Sequence, residues 1–160
     1  MPAYLNIDGR EYEAKLSFAF EKLADAKHSQ KTDDGEDMGG FRTIYMNLLE
    51  ISTKHLVAFW ECALAHSKDK ITTNQIEAAL EKVIEEDGDT DRVFRDAYNA
   101  IDDAAFFKKR AQNFWKDLEL MKNAGDTDEE KEQHKQMYDR MIQARNEMKG
   151  NVQDHEDQTE

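Results

Sequence analysis

Asp8-Gly9 constrains this chain more than any other two of its residues. In Ala3-Tyr4-Leu5-Asn6-Ile7 apolar and polar residues alternate, as they do again in Arg10-Glu11-Tyr12-Glu13-Ala14-Lys15-Leu16. An Asp-Gly pair between two alternating runs specifies a β-hairpin, because a two-residue turn needs positive φ at both positions. With Asp8-Gly9 as the turn, Leu5 faces Tyr12 and Ala3 faces Ala14. Ala3, Leu5, Ile7, Tyr12, Ala14 and Leu16 then share one face, and Glu11, Glu13 and Lys15 point to water. A lone hairpin is marginal in water, so the apolar face must lie on other elements. One proline and seven glycines in 160 residues leave little but helices to supply them.

The helices follow from apolar spacing. Ser17 can cap a helix over Phe18 to Lys27, with Phe20, Leu23, Ala24 and Lys27 on one side. His28 to Gly40 has almost nothing to bury and contains three glycines, so it is expected to be a mobile loop. Phe41, Ile44, Tyr45, Leu48 and Leu49 make the next stripe, and Leu56, Phe59, Trp60, Ala63 and Leu64 the one after, with Ser52 as the cap between them. Ile71-Thr72-Thr73-Asn74-Gln75-Ile76 carries a capping box, Thr72 with Gln75, and a hydrophobic staple, Ile71 with Ile76. Ile76, Ala79, Leu80, Val83 and Ile84 form that helix's buried face. Gly88 ends it, Asp89 or Thr90 caps a helix bearing Val93, Phe94, Ala97, Tyr98 and Ile101, and a further helix carries Phe106, Phe107, Phe114, Trp115, Leu118 and Met121.

After Met121 the composition shifts. Asn123-Ala124-Gly125-Asp126 reads as a stop and a new start, Thr127 and Glu130 stand at capping-box spacing, and only Met137, Tyr138, Met141, Ile142 and Met148 anchor the helix from Asp128 to Lys149. Asn151 to Glu160 reads as a disordered tail. The expected fold is mainly α with a short N-terminal β-hairpin (α+β), a compact helical bundle packed on the hairpin. Residues 1–121 form the hairpin-plus-helical domain, and 122–160 a charged, extended C-terminal helix and tail.

Composition narrows function. Thirty-five acidic residues against 22 Lys and Arg give a net charge of −13. Affinity for phosphate backbones comes from basic residues displacing counterions, which makes nucleic acid a poor partner. No run approaches the roughly 20 apolar residues needed to span a bilayer, Met1-Pro2-Ala3 opens straight into the hairpin without a signal-peptide core, and Cys62 is alone. These features point to a protein of the cytoplasm rather than of a membrane or an oxidising compartment.

Candidate chemistry is sparse. Asp87-Gly88-Asp89-Thr90-Asp91 begins like a calcium-binding EF-hand loop, but Arg92 stands where that loop needs Gly and Tyr98 where it needs Glu. A glycine helix end followed by an acidic cap explains it better. Cys62 and His66 are one helical turn apart, yet His28, His55, His134 and His155 add no ligand spacing, so a buried thiol near a helix-end histidine is the simpler reading. Without a phosphate-binding glycine loop, nucleophile elbow or His-Glu-x-x-His, no catalytic residue, cofactor or metal site is expected.

Three features in order carry a family likeness: Asn6-Ile7-Asp8-Gly9-Arg10-Glu11-Tyr12 leading to Leu16-Ser17-Phe18-Ala19-Phe20, then Ala63-Leu64-Ala65-His66, then Ile71-Thr72-Thr73-Asn74-Gln75-Ile76-Glu77. Over roughly Met1 to Ile101 the chain resembles the tail assembly chaperones of long-tailed phages and prophages of Gram-positive bacteria. The resemblance implies a non-enzymatic protein in the cytoplasm of the bacterial host that escorts the tape measure protein and helps tail-tube subunits assemble around it. The major tail-tube protein and a second copy of the chain are further candidate partners. In this family a translational frameshift often appends a second segment, and the change after Met121 is a candidate junction. An acidic interaction protein, a DNA mimic or a host-enzyme inhibitor, is the alternative; it explains the charge but not the hairpin. Phe106, Phe107, Phe114, Trp115, Leu118 and Met121 are the candidate partner-binding residues. The favoured reading of their helix is that it completes the core; the alternative keeps Phe114, Trp115 and Leu118 open for a partner, a task that suits aromatic groups because they bury much area at small entropic cost.

Overall fold

A computed structural model describes residues 2–150. Two strands, β1 (Tyr4–Ile7) and β2 (Arg10–Glu13), are followed by seven helices: α1 (Phe18–Lys27), α2 (Gly40–Leu49), α3 (Thr53–Ala63), α4 (Thr73–Asp87), α5 (Asp91–Asp102), α6 (Lys108–Met121) and α7 (Asp128–Met148). The chain divides into two compact units, Met1–Ala111 and Gln112–Glu160. It is mainly helical with a short antiparallel hairpin, as the periodicities require.

The hairpin has the expected register, Leu5 opposite Tyr12 and Ile7 opposite Arg10, and the Ala14 amide extends it by donating to the Ala3 carbonyl at 2.8 Å. Asp8 and Gly9 take φ of 53° and 84°, the left-handed pair that the tight turn needs. Ala3, Leu5, Ile7 and Ala14 are buried, Tyr12 and Leu16 half-buried, and Glu11, Glu13 and Lys15 exposed. β1 packs against α4. The turn itself is tied down: Gln75 accepts the Thr72 amide through Oε1, closing the capping box, and donates through Nε2 to Asp8 at 2.7 Å. Arg10 and the Tyr12 hydroxyl both reach Asp69 at 2.9 Å, and that hydrogen bond raises the Tyr12 pKa.

α1 packs on α2 and α3, α2 on α3 and α5, and α3 on α5, while α3 and α5 also meet α4. Phe20, Ile44, Leu48, Leu56, Phe59, Phe94 and Ile101 are almost wholly enclosed. Tyr45 and Tyr98 are fully buried and stacked, with ring centroids 5.1 Å apart. Tyr45 donates to Asp102 at 2.6 Å, so the 2.9 Å contact between the two hydroxyls is donated by Tyr98. Two phenols are thereby buried without an unmet donor.

Several details depart from the sequence reading. Ser17 stands at the N-cap of α1, but its hydroxyl makes no capping bond. Val83 and Ile84 are half-buried rather than part of a closed face. Phe106 and Phe107 lie in the turn before α6, not within it. Phe107 is fully buried in the first unit, stacked on Phe41 at 4.6 Å and edge-on to Phe20 at 5.5 Å. Gly40 belongs to α2, and its role is close packing: a Cβ there would sit 2.1 Å from the Ala24 carbonyl group.

The loop before it closes on itself. The backbones of Lys31 and Asp37 pair in a short antiparallel bridge, Met38 donates to the Gln30 carbonyl, and Asp25 of α1 accepts the Gly40 amide at 2.8 Å. In the second unit Thr127 caps α7 by accepting the Glu130 amide, while Glu130 reaches back to the Asp126 amide. Only Met141 and Met148 of α7 are buried. The tail expected over Asn151 to Glu160 lies outside the described residues.

Candidate partner-binding site

The six apolar residues singled out from sequence differ in exposure and fall on both sides of the boundary between the two units. Phe107, Phe114 and Leu118 are buried, as a helix that completes a core requires, and so Phe114 and Leu118 offer no open face. Phe106 is half-buried and packs edge-on against Phe18, itself 70% exposed, at 5.0 Å. Trp115 is half-buried with its ring edge-on to Phe114 and the Arg145 guanidinium 5.2 Å from its centroid. Met121 is exposed, and so is its neighbour Leu120, which the helical stripe left out.

A different feature of the first unit is better formed. Between α3 and α4 lies a groove of 590 Å³ with Leu56, Val57, Leu80 and Ile84 along its floor. Glu77 and Glu81, one turn apart on α4, line it with Glu61 of α3. Sequence periodicity missed this place because Val57 falls off the α3 stripe and Ile84 was assigned to a closed face. The only available signal was that α4 carries carboxylates on two sides of a short apolar row.

Glu61 lies 2.8 Å from the Lys27 ammonium and 3.4 Å from the His28 ring, and its hydrogen bond with Lys27 raises the lysine's pKa. Glu77 and Glu81 have neither hydrogen bonds nor ion pairs among the described residues. Their charge stands unneutralised beside an apolar floor.

Cys62 is buried, and burial pushes its thiol up to about 12, far from thiolate reactivity. His66 is exposed, with its ring on the Ala63 carbonyl. Asp87 is held in a bidentate pair by Arg92, both contacts 2.8 Å, which lowers the carboxyl's pKa and commits it to the helix end. No group of three metal-ligating side chains occurs among the described residues, nor any helix long and apolar enough to cross a membrane.

A family model described as phage tail assembly chaperone protein, TAC, matches residues 4–116. The match begins at the first residue of β1, spans the hairpin and α1 to α5, and stops inside α6. No curated protein and no solved structure matches the chain significantly. With most of its length so matched, the chain belongs to the phage tail assembly chaperone family, and its role lies in tail assembly among phage tail proteins.

Proposed function

We propose that the protein is a non-enzymatic chaperone that binds the tape measure protein in the host cytoplasm and assists tail-tube assembly around it. The observation that carries this is the family match over residues 4–116, which takes in every element of the first unit. The chemistry agrees: the one thiol is buried and protonated, Asp87 is held in a salt bridge, and Asp89 accepts the Asp91 amide at a helix start. A chaperone of a long helical client needs apolar surface rimmed by charge, and the groove between α3 and α4 provides it. Of the six residues proposed from sequence for partner contact, Phe106, Trp115 and Met121 keep the exposure such a role requires.

Co-expression tests the proposal. The tape measure protein of the same phage, made together with tagged chaperone, is expected to be retained on the affinity resin and to stay in the soluble fraction. Expression alone should leave it largely aggregated. Failure of the wild-type chaperone to retain or solubilise it would remove the tape measure protein as the client.

A further inference from the structure

We infer that the α3–α4 groove is a docking site for one amphipathic helix whose apolar face is flanked by Lys or Arg. This deepens the chaperone reading and rests on it for the identity of the client. The groove has the attributes of a helix receptor. Two packed helices make its walls, the buried Leu56 and Leu80 line it, and the half-buried Val57 and Ile84 leave apolar area uncovered along it. A docked helix meets such a trough with anchors at i, i+3, i+4 and i+7.

Charge selects among possible occupants. Glu77 and Glu81 border the trough on the exposed side of α4, and Glu85 continues the same row one turn further on. None of the three has an ion-pair partner among the described residues, whereas other carboxylates here, Glu21, Glu61, Asp69 and Asp87, are already paired. Lys54 is the one Lys or Arg among the lining residues. A second copy of this chain, with a net charge of −13, would bring like charge to this rim, and so would an acidic peptide. A helix with basic flanks neutralises it, and its apolar face removes Val57 and Ile84 from water.

The probe is a synthetic Leu/Lys amphipathic peptide of about 18 residues, long enough to hold a helix when docked. The controls are a scrambled peptide of the same composition and a Leu/Glu analogue. The full chain should bind the Leu/Lys peptide, shift the Val57 and Ile84 methyl resonances, and bind the scrambled and acidic peptides at least tenfold more weakly. Glu77→Lys with Glu81→Lys should weaken binding roughly tenfold, and raised salt should weaken the wild type in the same direction. Val57→Asp should abolish it. The double exchange Glu129→Lys with Glu132→Lys on α7, of equal charge change, should matter little. Equal loss from the α7 pair, equal binding of the scrambled peptide, or methyl shifts confined to α6 and α7 would each overturn the assignment. Sedimentation showing a wild-type dimer that Val57→Asp dissociates would make a second copy the occupant and overturn it too. The client is tested separately in co-expression. If the wild type and the Glu77→Lys, Glu81→Lys variant retain the tape measure protein equally, the groove fails while the chaperone reading stands. If the wild type binds the peptide in the groove but not the tape measure protein, the groove stands and that client is wrong.

Discussion

The two units of this chain keep their helices by different means. In Met1–Ala111 each helix is fixed by what it buries: α2 sets Phe41, Ile44, Tyr45, Leu48 and Leu49 inside, and α3 does the same with Leu56, Phe59, Trp60 and Ala63. In the second unit α7 buries only Met141 and Met148 over 21 residues. It relies on local signals instead: a threonine cap, Asp128, Glu129 and Glu130 at the positive end of the helix dipole, Arg145 near the negative end, and the Lys122 ammonium over the Tyr138 ring at 5.3 Å. Tertiary burial is cooperative, whereas caps and dipole contacts act within a turn or two. The same substitution should therefore cost differently in the two units.

The largest effect is expected where burial leaves no room. Gly40→Ala would place a methyl 2.1 Å from backbone atoms of Ala24, so α1 and α2 must separate. Overpacking of this kind costs about 3 kcal/mol or more when backbone rather than a side-chain tip has to move. Urea denaturation should show the full loss. A variant as stable as the wild type would mean that the α1–α2 contact is not fixed by close approach.

This glycine also shows what the sequence could and could not disclose. Asp8-Gly9 was legible because its sequence neighbours alternate, so turn and strands confirm each other. Gly40 was read as part of a mobile loop, since composition distinguishes neither a glycine needed for φ nor one needed for contact. The α4 capping box was legible to the atom, but the bond from Gln75 to Asp8 was not, because it joins residues far apart in sequence. Phe106 and Phe107 were placed on the wrong element because Asp102-Asp103-Ala104-Ala105 ends α5 without glycine or proline. The groove escaped for a more general reason. A period of 3.6 residues locates an apolar face, but whether a neighbour covers that face is decided by tertiary packing.

A matched pair of caps sharpens the comparison. Thr72 and Thr127 each accept the amide three residues on, at 3.2 and 3.1 Å. Replacing either with alanine should remove about 1 kcal/mol. For Thr72→Ala the loss should appear in the global transition, because Ile76, Ala79 and Leu80 hold α4 in place when its first turn weakens. For Thr127→Ala it should appear as faster amide exchange over the first turns of α7, with the main transition nearly unchanged. Exchange that rises equally at the start of both helices would break the distinction between packed and locally held helices.

The smallest effect concerns a strained residue that only a well-packed unit can carry. α2 ends at Leu49, and Ile51 has φ of 58°, a left-handed conformation that a β-branched side chain rarely adopts. Its amide donates to the Leu48 carbonyl at 3.2 Å and that of Ser52 to the Asn47 carbonyl at 3.1 Å, the paired bonds of a helix end that usually has glycine in this position. The strain costs roughly 1–2 kcal/mol and persists because the buried faces of α2 and α3 fix where the chain must turn. The side chain is 49% exposed, so burial offsets little of it. Ile51→Gly should therefore raise stability by about 0.5–1 kcal/mol after the entropy that glycine adds to the unfolded chain, and Ile51→Val, equally branched, should not. Denaturation midpoints decide this, and a destabilised Ile51→Gly would show that the covered half of the side chain outweighs the strain. Retention of the client by the stabilised variant then tests why isoleucine stands there: an isoleucine kept for its exposed surface predicts weaker capture from a more stable protein, and one kept for no such reason predicts capture unchanged.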